Sequence, residues 1–321
     1  MKVLVTGATG FIGSHLAEEL SKRGYDVTCL VRKLSSLKWL EGLDLKFKEG
    51  DCLDAGSLLP ALTGAEAVFH LAGLTKARKA DDFYRANTAG TENMLKAAEK
   101  TCPDLKRFVF MSSLSAVGPS RNGRPVNEET PPMPVSDYGK SKLKAEAAVL
   151  KYSAGMPVTI IRPPAVYGPR DRDFYFFYKL LKKGIFPYWG ECRYSLVYVD
   201  DLVRGLIQAV ESPGAEGGTF FLSDGNIYTN VEVADRIAQA VGSRPLRLRI
   251  PGRLLGVIAS AGGWLSSEPS VLNRDKAREL CHSNWLCDSS RAVERLGFSP
   301  KTTLKEGVSW TANWYRIHRW L

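Results

Sequence analysis

The sequence of 321 residues lacks any pair of cysteines at C-x-x-C spacing. Its six cysteines are scattered at positions 29, 52, 102, 192, 281 and 287, and the Cys281-His282 pair with Cys287 has no second ligand pair beside it. Metal and redox motifs need such pairs, so we assign no metal and expect most of the cysteines to be buried or half-buried free thiols.

Long apolar runs are also missing. The longest, Leu254 to Leu265, is too short and too rich in glycine to span a bilayer. Met1 leads directly into an apolar strand rather than into a signal peptide. The sequence therefore predicts a cytoplasmic protein without a transmembrane segment.

The net charge of +10 is not concentrated in one tract, because lysines and arginines are interleaved with Asp and Glu along the chain. Without a dense basic tract or an RNA-binding signature, the sequence predicts no nucleic-acid partner. A general positive field suits anionic ligands such as phosphates, and it would equally favour loose contact with an anionic membrane surface.

What the first half does contain is a regular alternation of strand-like and helical segments. The predicted strands are KVLVTG, DVTCLV, FKEGD, AVFHLAG, RFVFMSS and VTIIRP, and the predicted helices are 12–23, 54–63, 81–100 and 137–153. Such alternation predicts an α/β fold with a doubly wound parallel sheet covered by helices on both faces. Strands 1, 4 and 5 should then bring Gly7, Ala72 and Ser113 to the same carboxyl edge.

After Pro163 the alternation loosens into proline, glycine and aromatic residues. Leu196 to Glu211 and Thr219 to Ser223 indicate a return to the sheet. We therefore predict a dinucleotide-binding domain formed by 1–165 and 196–225. A smaller, discontinuous substrate domain would comprise 166–195 and 226–321.

A glycine-rich turn, Thr6 to Gly13 (TGATGFIG), joins the first strand to the first helix. Gly7 permits a tight turn, Gly10 lets the backbone approach a pyrophosphate, and Gly13 lets the helix pack closely. The N-terminal amides of the helix would point at the phosphates. The position of this turn between a strand and a helix predicts dinucleotide binding and a Rossmann-type sheet.

Tyr138 and Lys142 lie four residues apart at the start of a predicted helix, so their side chains share one face. A nearby ammonium group favours the phenolate, which allows a tyrosine to exchange protons with a hydroxyl or a carbonyl. Ser113, at the end of the strand FVFMSS, can hydrogen-bond the same reacting oxygen. Ser113 is favoured over Ser112 and Ser115 because its spacing from Gly118 matches that of the family that these motifs resemble.

These motifs, together with several others in the same order, resemble the extended short-chain dehydrogenase/reductase superfamily. Within it, the chain is similar to the NAD-dependent epimerase/dehydratase family, and in motif detail to hydroxysteroid dehydrogenases and dihydroflavonol reductases. The motifs are TGATGFIG, Gly50-Asp51, His70 to Gly73, Asn87 to Asn93, Phe110 to Ser113, Tyr138 to Lys142, Arg162-Pro163 through Pro169, Val199 to Asp201, and the turns at Leu296 to Pro300 and Leu304 to Gly307.

The resemblance implies roles for individual residues. Asp51 would hold the adenine amino group, and Lys142 would bind the nicotinamide ribose while lowering the pKa of Tyr138. Asn87 would tie helix to strand near the site, and His70 would be a packing residue at a strand end. The positions implied or argued to contact the cofactor are Gly7, Thr9, Gly10, Phe11, Ile12, Gly13, Arg32, Ser36, Lys38, Asp51, Cys52, Leu71, Ala72, Gly73, Tyr138, Lys142, Pro163 and Val166.

The end of the second strand favours NADP over NAD. Val31 stands where NAD-binding relatives usually have an acid for the ribose hydroxyls, and Arg32 follows it. Ser35, Ser36 and Lys38 add hydroxyls and a cation for a 2′-phosphate. An epimerase keeps NAD⁺ bound through its cycle, so this preference favours a net reductase or dehydrogenase that moves hydride between nicotinamide C4 and a secondary alcohol or ketone.

Two positions lack the polar anchors common in nucleotide-sugar enzymes of the family. Ala165 replaces the Asn of R-x-x-N, and Tyr194 replaces an Arg six residues before Asp200. Leu114-Ser115 also lack the Asp-Glu pair of sugar dehydratases, which argues against water elimination by that route.

Aromatic residues stand where those anchors are missing, and they suit a flat or lipid-like substrate, although each would equally fit the core of a small domain. They are Phe174, Tyr175, Phe176, Phe177, Phe186, Tyr188 and Trp189, with Pro251 to Leu265 as a candidate lid.

Two other functions stay open at this stage. Arg170 and Arg172 could bind a phosphate of a sugar nucleotide, which would fit an epimerase with tightly bound NAD⁺. A catalytically silent dinucleotide-binding protein is the other alternative, although Ser113, Tyr138 and Lys142 are all present. Helices of the 81–100 and 137–153 type form a four-helix dimer interface in many relatives, so the resemblance implies a homodimer.

Overall fold

The fold is known from a computed structural model, which describes residues 1–251 and 274–321. Its centre is a seven-stranded sheet with the strand order β11-β6-β5-β4-β1-β2-β3, and all six pairings in it are parallel. Its strands are β1 Lys2–Thr6, β2 Asp26–Val31, β3 Lys46–Glu49, β4 Ala67–His70, β5 Arg107–Met111, β6 Val158–Arg162 and β11 Thr219–Phe221. The predicted α/β class and parallel sheet are confirmed.

Helices cover both faces of this sheet. In chain order they begin with α1 Phe11–Lys22, α2 Ala55–Leu62, α3 Ala80–Phe83, α4 Gly90–Thr101, α5 Asp137–Lys151, α6 Arg172–Lys182, α7 Val199–Glu211 and α8 Asn230–Val241. Three more span Arg274–Leu280, Ser290–Leu296 and Leu304–Ile317. Short turns of 3₁₀-helix lie at Leu114–Ala116 and Pro213–Ala215.

The alternation of apolar side chains along the strands divides the core in two. Val3 and Val5 of β1 belong to the cluster that contains α1 and α7, whereas Leu4 belongs to the cluster that contains α2, α4 and α5. Because successive side chains of a strand point to opposite faces, a strand buried on both faces reads as a continuous apolar run. The sequence of β1, KVLVT, is such a run.

Shorter strands lie outside the central sheet. They are β7 Ala165–Tyr167 paired with β10 Leu196–Tyr198, β9 Arg193–Tyr194 between β12 Tyr228–Thr229 and β14 Asn284–Trp285, and β8 Ile185–Tyr188 paired with β13 Leu246–Arg249. As the sequence predicted, 219–221 returns to the sheet beside β6, but 196–198 pairs with β7 instead. The proposed domain boundaries stay a prediction.

Two further expectations are changed or left open by the structure. The predicted helix 81–100 is divided by a π-helical stretch, Tyr84–Ala89, between α3 and α4. This wider turn contains Asn87, whose side chain bonds outside its own helix, and such turns often occur at functional sites.

The candidate lid, Pro251 to Leu265, lies outside the described residues except for Pro251. Within the described residues, no helix is long and apolar enough to cross a membrane.

Candidate active site

The glycine-rich turn leaves the N-terminus of α1 open. Gly7 has φ +72°, and a Cβ there would lie 2.8 Å from the Ala72 nitrogen. A Cβ at Gly13 would lie 2.1 Å from the Gly7 oxygen. Any residue other than glycine at position 13 would therefore force α1 away from the turn. Gly10 precedes α1, and no side chain of the described residues caps that helix. The free amides and the positive end of the helix dipole therefore suit a pyrophosphate.

Side-chain hydrogen bonds join this turn to the end of β4. The Thr6 hydroxyl accepts a bond from the Ala72 N–H at 3.0 Å and contacts Nδ1 of His70 at 2.8 Å. His70 is fully buried, bonds the Thr91 hydroxyl at 3.0 Å and stacks on Phe110. Burial lowers its pKa to about 3. A neutral, internally bonded imidazole confirms the prediction that His70 packs at a strand end.

Asn87 fixes the loop after β4 against α5. Its side-chain oxygen accepts from the Leu74 N–H at 2.7 Å, and its amide donates to the Leu74 carbonyl and to the Ser141 hydroxyl. A Cβ at Gly73 would lie 2.7 Å from the same side-chain oxygen. The expected tie between helix and strand is confirmed, and Leu71 to Gly73 are held beside the glycine turn.

Tyr138 and Ser113 meet where β5 ends and α5 begins. Ser136 caps α5 by accepting from the Gly139 N–H at 3.0 Å, which places Tyr138 in the first turn. A hydrogen bond from Ser113 lowers the pKa of the Tyr138 phenol, but burial outweighs it and raises that pKa to about 12. Ser112 instead donates to Glu146 at 2.5 Å. Of these two adjacent serines, it is Ser113 that acts on the pKa of the phenol.

Lys142 lies one turn further along α5, beside the carboxyl end of β5. Its ammonium donates to the Met111 carbonyl at 2.7 Å and lies 4.9 Å from the centre of the Phe110 ring. The side chain is almost fully buried, which lowers its pKa to about 8, while the nearby Glu146 carboxylate opposes that shift.

The expected lowering of the Tyr138 pKa by Lys142 stays a prediction. The phenol pKa is raised, because burial dominates, and the cation that lowers it is Lys276. The Lys142 ammonium is directed at Met111 instead.

A groove of about 640 Å³ follows the carboxyl ends of β2 and β3, at the place expected for the adenosine part of a dinucleotide. It is lined by Arg32, Lys33, Leu34, Ser35, Glu49, Gly50, Asp51, Asp54 and Ser57. Ser36 and Lys38, also predicted for this part of the site, lie outside the lining. The Lys38 ammonium packs 4.6 Å from the centre of the Trp39 ring.

Several other predicted positions surround the path from the turn to the site. Thr9 lies in the glycine-rich turn, Phe11 and Ile12 begin α1, and Val166 lies half-buried in β7. The Pro163 carbonyl accepts from the Leu114 N–H at 2.9 Å, which fixes the chain beside Ser113. Burial raises the pKa of the Cys52 thiol to about 12, so this cysteine stays protonated.

Comparison with known proteins decides the family. The model of the NAD dependent epimerase/dehydratase family matches residues 3–222. The chain belongs to this family. Its similarity to a ceramide reductase of Caulobacter vibrioides is 33% identity over 99% of this chain and 96% of that protein. It is 31% identical to a UDP-glucose 4-epimerase of Vibrio cholerae, over 97% of this chain and 94% of that one.

Solved structures agree with this assignment. The dTDP-glucose 4,6-dehydratase DesIV from Streptomyces venezuelae, with NAD and TYD bound, superposes with a TM-score of 0.82 at 25% identity and covers 99% of this chain and 98% of its own. The predicted resemblance is thus confirmed, and the chain is an enzyme of an NAD-dependent family. Its relatives include both oxidoreductases and nucleotide-sugar epimerases.

One buried charged residue beside the candidate site was missed from the sequence. Glu146 is almost fully buried and bonds Arg162 twice, at 2.8 Å to Nε and 2.6 Å to Nη2, besides Ser112. It thereby links α5 to the carboxyl ends of β5 and β6. Its position four residues after Lys142 on the same helix face was the available signal.

Arg170 does not fit the phosphate-binding role that an epimerase would give it. Its guanidinium bonds Glu18 at 2.5 Å and Ser14 at 3.2 Å on α1, and it packs over Trp39. These contacts hold the segment after β7 against α1. Arg172, by contrast, is exposed at the start of α6.

The aromatic residues proposed as a substrate lining divide between core and surface. Tyr175 packs against Tyr315 and Trp320, and Phe186 is buried. Phe176 remains 44% exposed and contacts Phe177. Some members of the set are therefore core residues, and the exposed ones remain candidates for contact with a substrate.

Proposed function

We propose that the chain is an NADP-preferring reductase or dehydrogenase that transfers hydride between nicotinamide C4 and a secondary alcohol or ketone. Tyr138 is the acid/base, Ser113 orients the reacting oxygen, and Lys142 binds the nicotinamide ribose. The observation that carries this proposal is the placement of Tyr138 in the first turn of α5, one helical turn before the buried Lys142, whose ammonium bonds the last residue of β5, with Ser113 close enough to lower the pKa of the phenol.

The proton chemistry of this arrangement supports reduction. A phenol with a pKa of about 12 is protonated at neutral pH and can donate to the oxygen of a ketone. The Ser113 hydroxyl would hold that oxygen within reach of the phenol. An ammonium group has three N–H donors, and the bond to Met111 uses one of them, which leaves capacity for ribose hydroxyls. When bound, the nicotinamide supplies or accepts the hydride.

The preference for NADP is supported by the adenosine groove. Arg32 and Lys33 line it together, and Val31 stands where an acid would repel a 2′-phosphate. A guanidinium group can bind a phosphate through two parallel hydrogen bonds. Asp51 lies in the same groove, where it would accept from the adenine amino group.

An apolar or lipid-like substrate is supported by the exposed Phe176 beside Phe177 and by the similarity to a ceramide reductase. The second candidate, a nucleotide-sugar epimerase, is supported by the UDP-glucose 4-epimerase relative and by the exposed Arg172. Mass spectrometry of the denatured protein separates the two. Retained NAD⁺ would favour the epimerase, whereas an emptied site that binds NADPH more tightly than NADH would favour the reductase.

The Tyr138→Phe variant tests the chemical proposal directly. With NADPH and a series of apolar ketones of increasing chain length, we expect turnover to fall by about 10²- to 10⁴-fold while the Kd for NADPH is unchanged. Tyr152→Phe, just after the end of the same helix, is the matched control and should retain parent turnover. Parent-like turnover by Tyr138→Phe would contradict the proposal, and a parent protein without any nicotinamide binding would favour the silent alternative.

A homodimer built from α4 and α5 is also proposed, because Leu150 of α5 remains 47% exposed on the outer surface. Sedimentation velocity of the parent and of Leu150→Glu tests it. A dimer that dissociates in the variant would support this interface, and a parent monomer would contradict it.

A further inference from the structure

The first turn of α5, which carries Tyr138, is held by the short helix Arg274–Leu280. The Asp275 carboxylate accepts from the backbone N–H of Asp137 at 2.7 Å and from that of Tyr138 itself at 3.0 Å. A helix N-terminus leaves its first N–H groups without intrahelical partners. Here a side chain 137 residues away from Tyr138 satisfies two of them.

Glu279 makes a second contact with the same turn. This residue is 5% exposed, and one of its carboxylate oxygens accepts from the Ser136 hydroxyl at 2.8 Å. Ser136 is the residue that caps α5, so Glu279 orients the hydroxyl that accepts from Gly139. The Lys276 ammonium lies 2.8 Å from the other oxygen of Glu279 and keeps the pKa of that carboxyl below its usual range.

The two partners act on the Tyr138 phenol in opposite directions. The negative charge of Glu279 raises the phenol pKa, and the positive charge of Lys276 lowers it. Glu279 therefore holds the cap of α5, and Lys276 compensates for the negative charge that Glu279 brings close to Tyr138.

We propose that Lys276 and Glu279 are positioning residues for Tyr138, in which Glu279 fixes the cap of α5 and Lys276 balances its charge beside the phenol. This inference rests on the proposed role of Tyr138. The charged and titratable groups on the elements packed around the phenol are Asp137 and Lys142 on α5, Asp275, Lys276, Arg278 and Glu279 on the short helix, and the hydroxyl of Ser113 after β5.

The test uses the full chain with NADP⁺ and a secondary alcohol that the parent oxidises, and it records kcat/KM against pH. Oxidation needs the deprotonated phenol, so the rising limb of the profile reports the pKa of Tyr138. Lys276→Met should move that limb to higher pH and lower kcat/KM at pH 7 by about threefold to tenfold. Glu279→Gln keeps an acceptor for Ser136 but loses the charge, so it should move the limb to lower pH.

Shifts of opposite sign are the signature, because loosening of the turn would weaken both variants in the same way. Lys276→Arg should restore the parent profile, and Lys106→Met, which breaks a surface ion pair with Glu66 at 2.7 Å, should leave it unchanged. Unshifted profiles, or shifts in one direction, would overturn the inference. Retained turnover in Tyr138→Phe would overturn the proposed function instead, so the two failures are distinguishable.

Discussion

The buried ion pair between Glu146 and Arg162 lends itself to a quantitative test. The Glu146→Gln substitution keeps the size of the side chain and an acceptor for Ser112, but it removes the negative charge that faces Arg162. Glu146 is 2% and Arg162 7% exposed, so the guanidinium would remain buried without its counter-ion. Breaking a buried pair from one side costs about 3 to 5 kcal/mol.

The expected shift in melting temperature follows from the length of the chain. For 321 residues the entropy of unfolding is about 0.7 kcal/mol/K, so the lost stability corresponds to a Tm lower by about 4 to 7 °C. Differential scanning calorimetry at pH 7 measures it. The matched control is Glu66→Gln, which breaks the surface pair with Lys106 and should change stability by less than about 1 kcal/mol.

A second measurement follows from the neighbouring lysine. The Glu146 carboxylate holds the pKa of Lys142 up against burial, so Glu146→Gln should move it below its value of about 8. The double substitution Glu146→Leu with Arg162→Met should be less destabilising than Glu146→Gln, because no unpaired charge remains. If Glu146→Gln melts within a degree of Glu66→Gln, the reasoning about this pair is refuted.

Three further predictions address the cofactor site and its support. Arg32→Glu should weaken NADPH binding about tenfold or more in fluorescence titrations and leave NADH nearly unchanged; equal losses would contradict the NADP preference. Gly7→Ala should abolish binding of both cofactors by calorimetric titration, because φ is +72° and the Cβ would clash with Ala72; parent-like affinity would contradict this. The pKa of His70 is about 3 in the folded chain and about 6.5 in the unfolded chain, so the free energy of unfolding should fall by up to about 1.4 kcal/mol per unit as the pH is lowered from 6.5 to 3. Urea unfolding of His70→Gln should show a flatter dependence of this free energy on pH. A pH dependence identical to that of the parent would contradict the prediction.

Much of the site could be predicted from the sequence because local spacing carries it. The turn from Gly7 to Gly13 needs its glycines wherever a strand meets a phosphate-binding helix. The separation of Tyr138 and Lys142 places both on one helix face. The role of His70 was also predictable, since a histidine inside an apolar strand is expected to be buried and neutral.

Contacts between distant segments could not be predicted in this way. Asp275, Lys276 and Glu279 lie more than 130 residues after Tyr138, and no spacing rule connects them with α5. Arg170 was one of two candidate phosphate ligands in the alternative epimerase function, but it is bonded to Glu18 on α1. Burial raises the pKa of Tyr138, and how completely the phenol is buried depends on elements that are distant along the chain.

The sequence alone therefore determined the α/β class, the family and the position of the glycine turn. These features depend on periodicity and on residues close together along the chain, and both follow from backbone geometry. The tertiary structure decided which charged groups meet: Glu146 with Arg162, Glu279 with Lys276, and Arg170 with Glu18. Electrostatic energy depends on distance and burial in space, and sequence separation fixes neither.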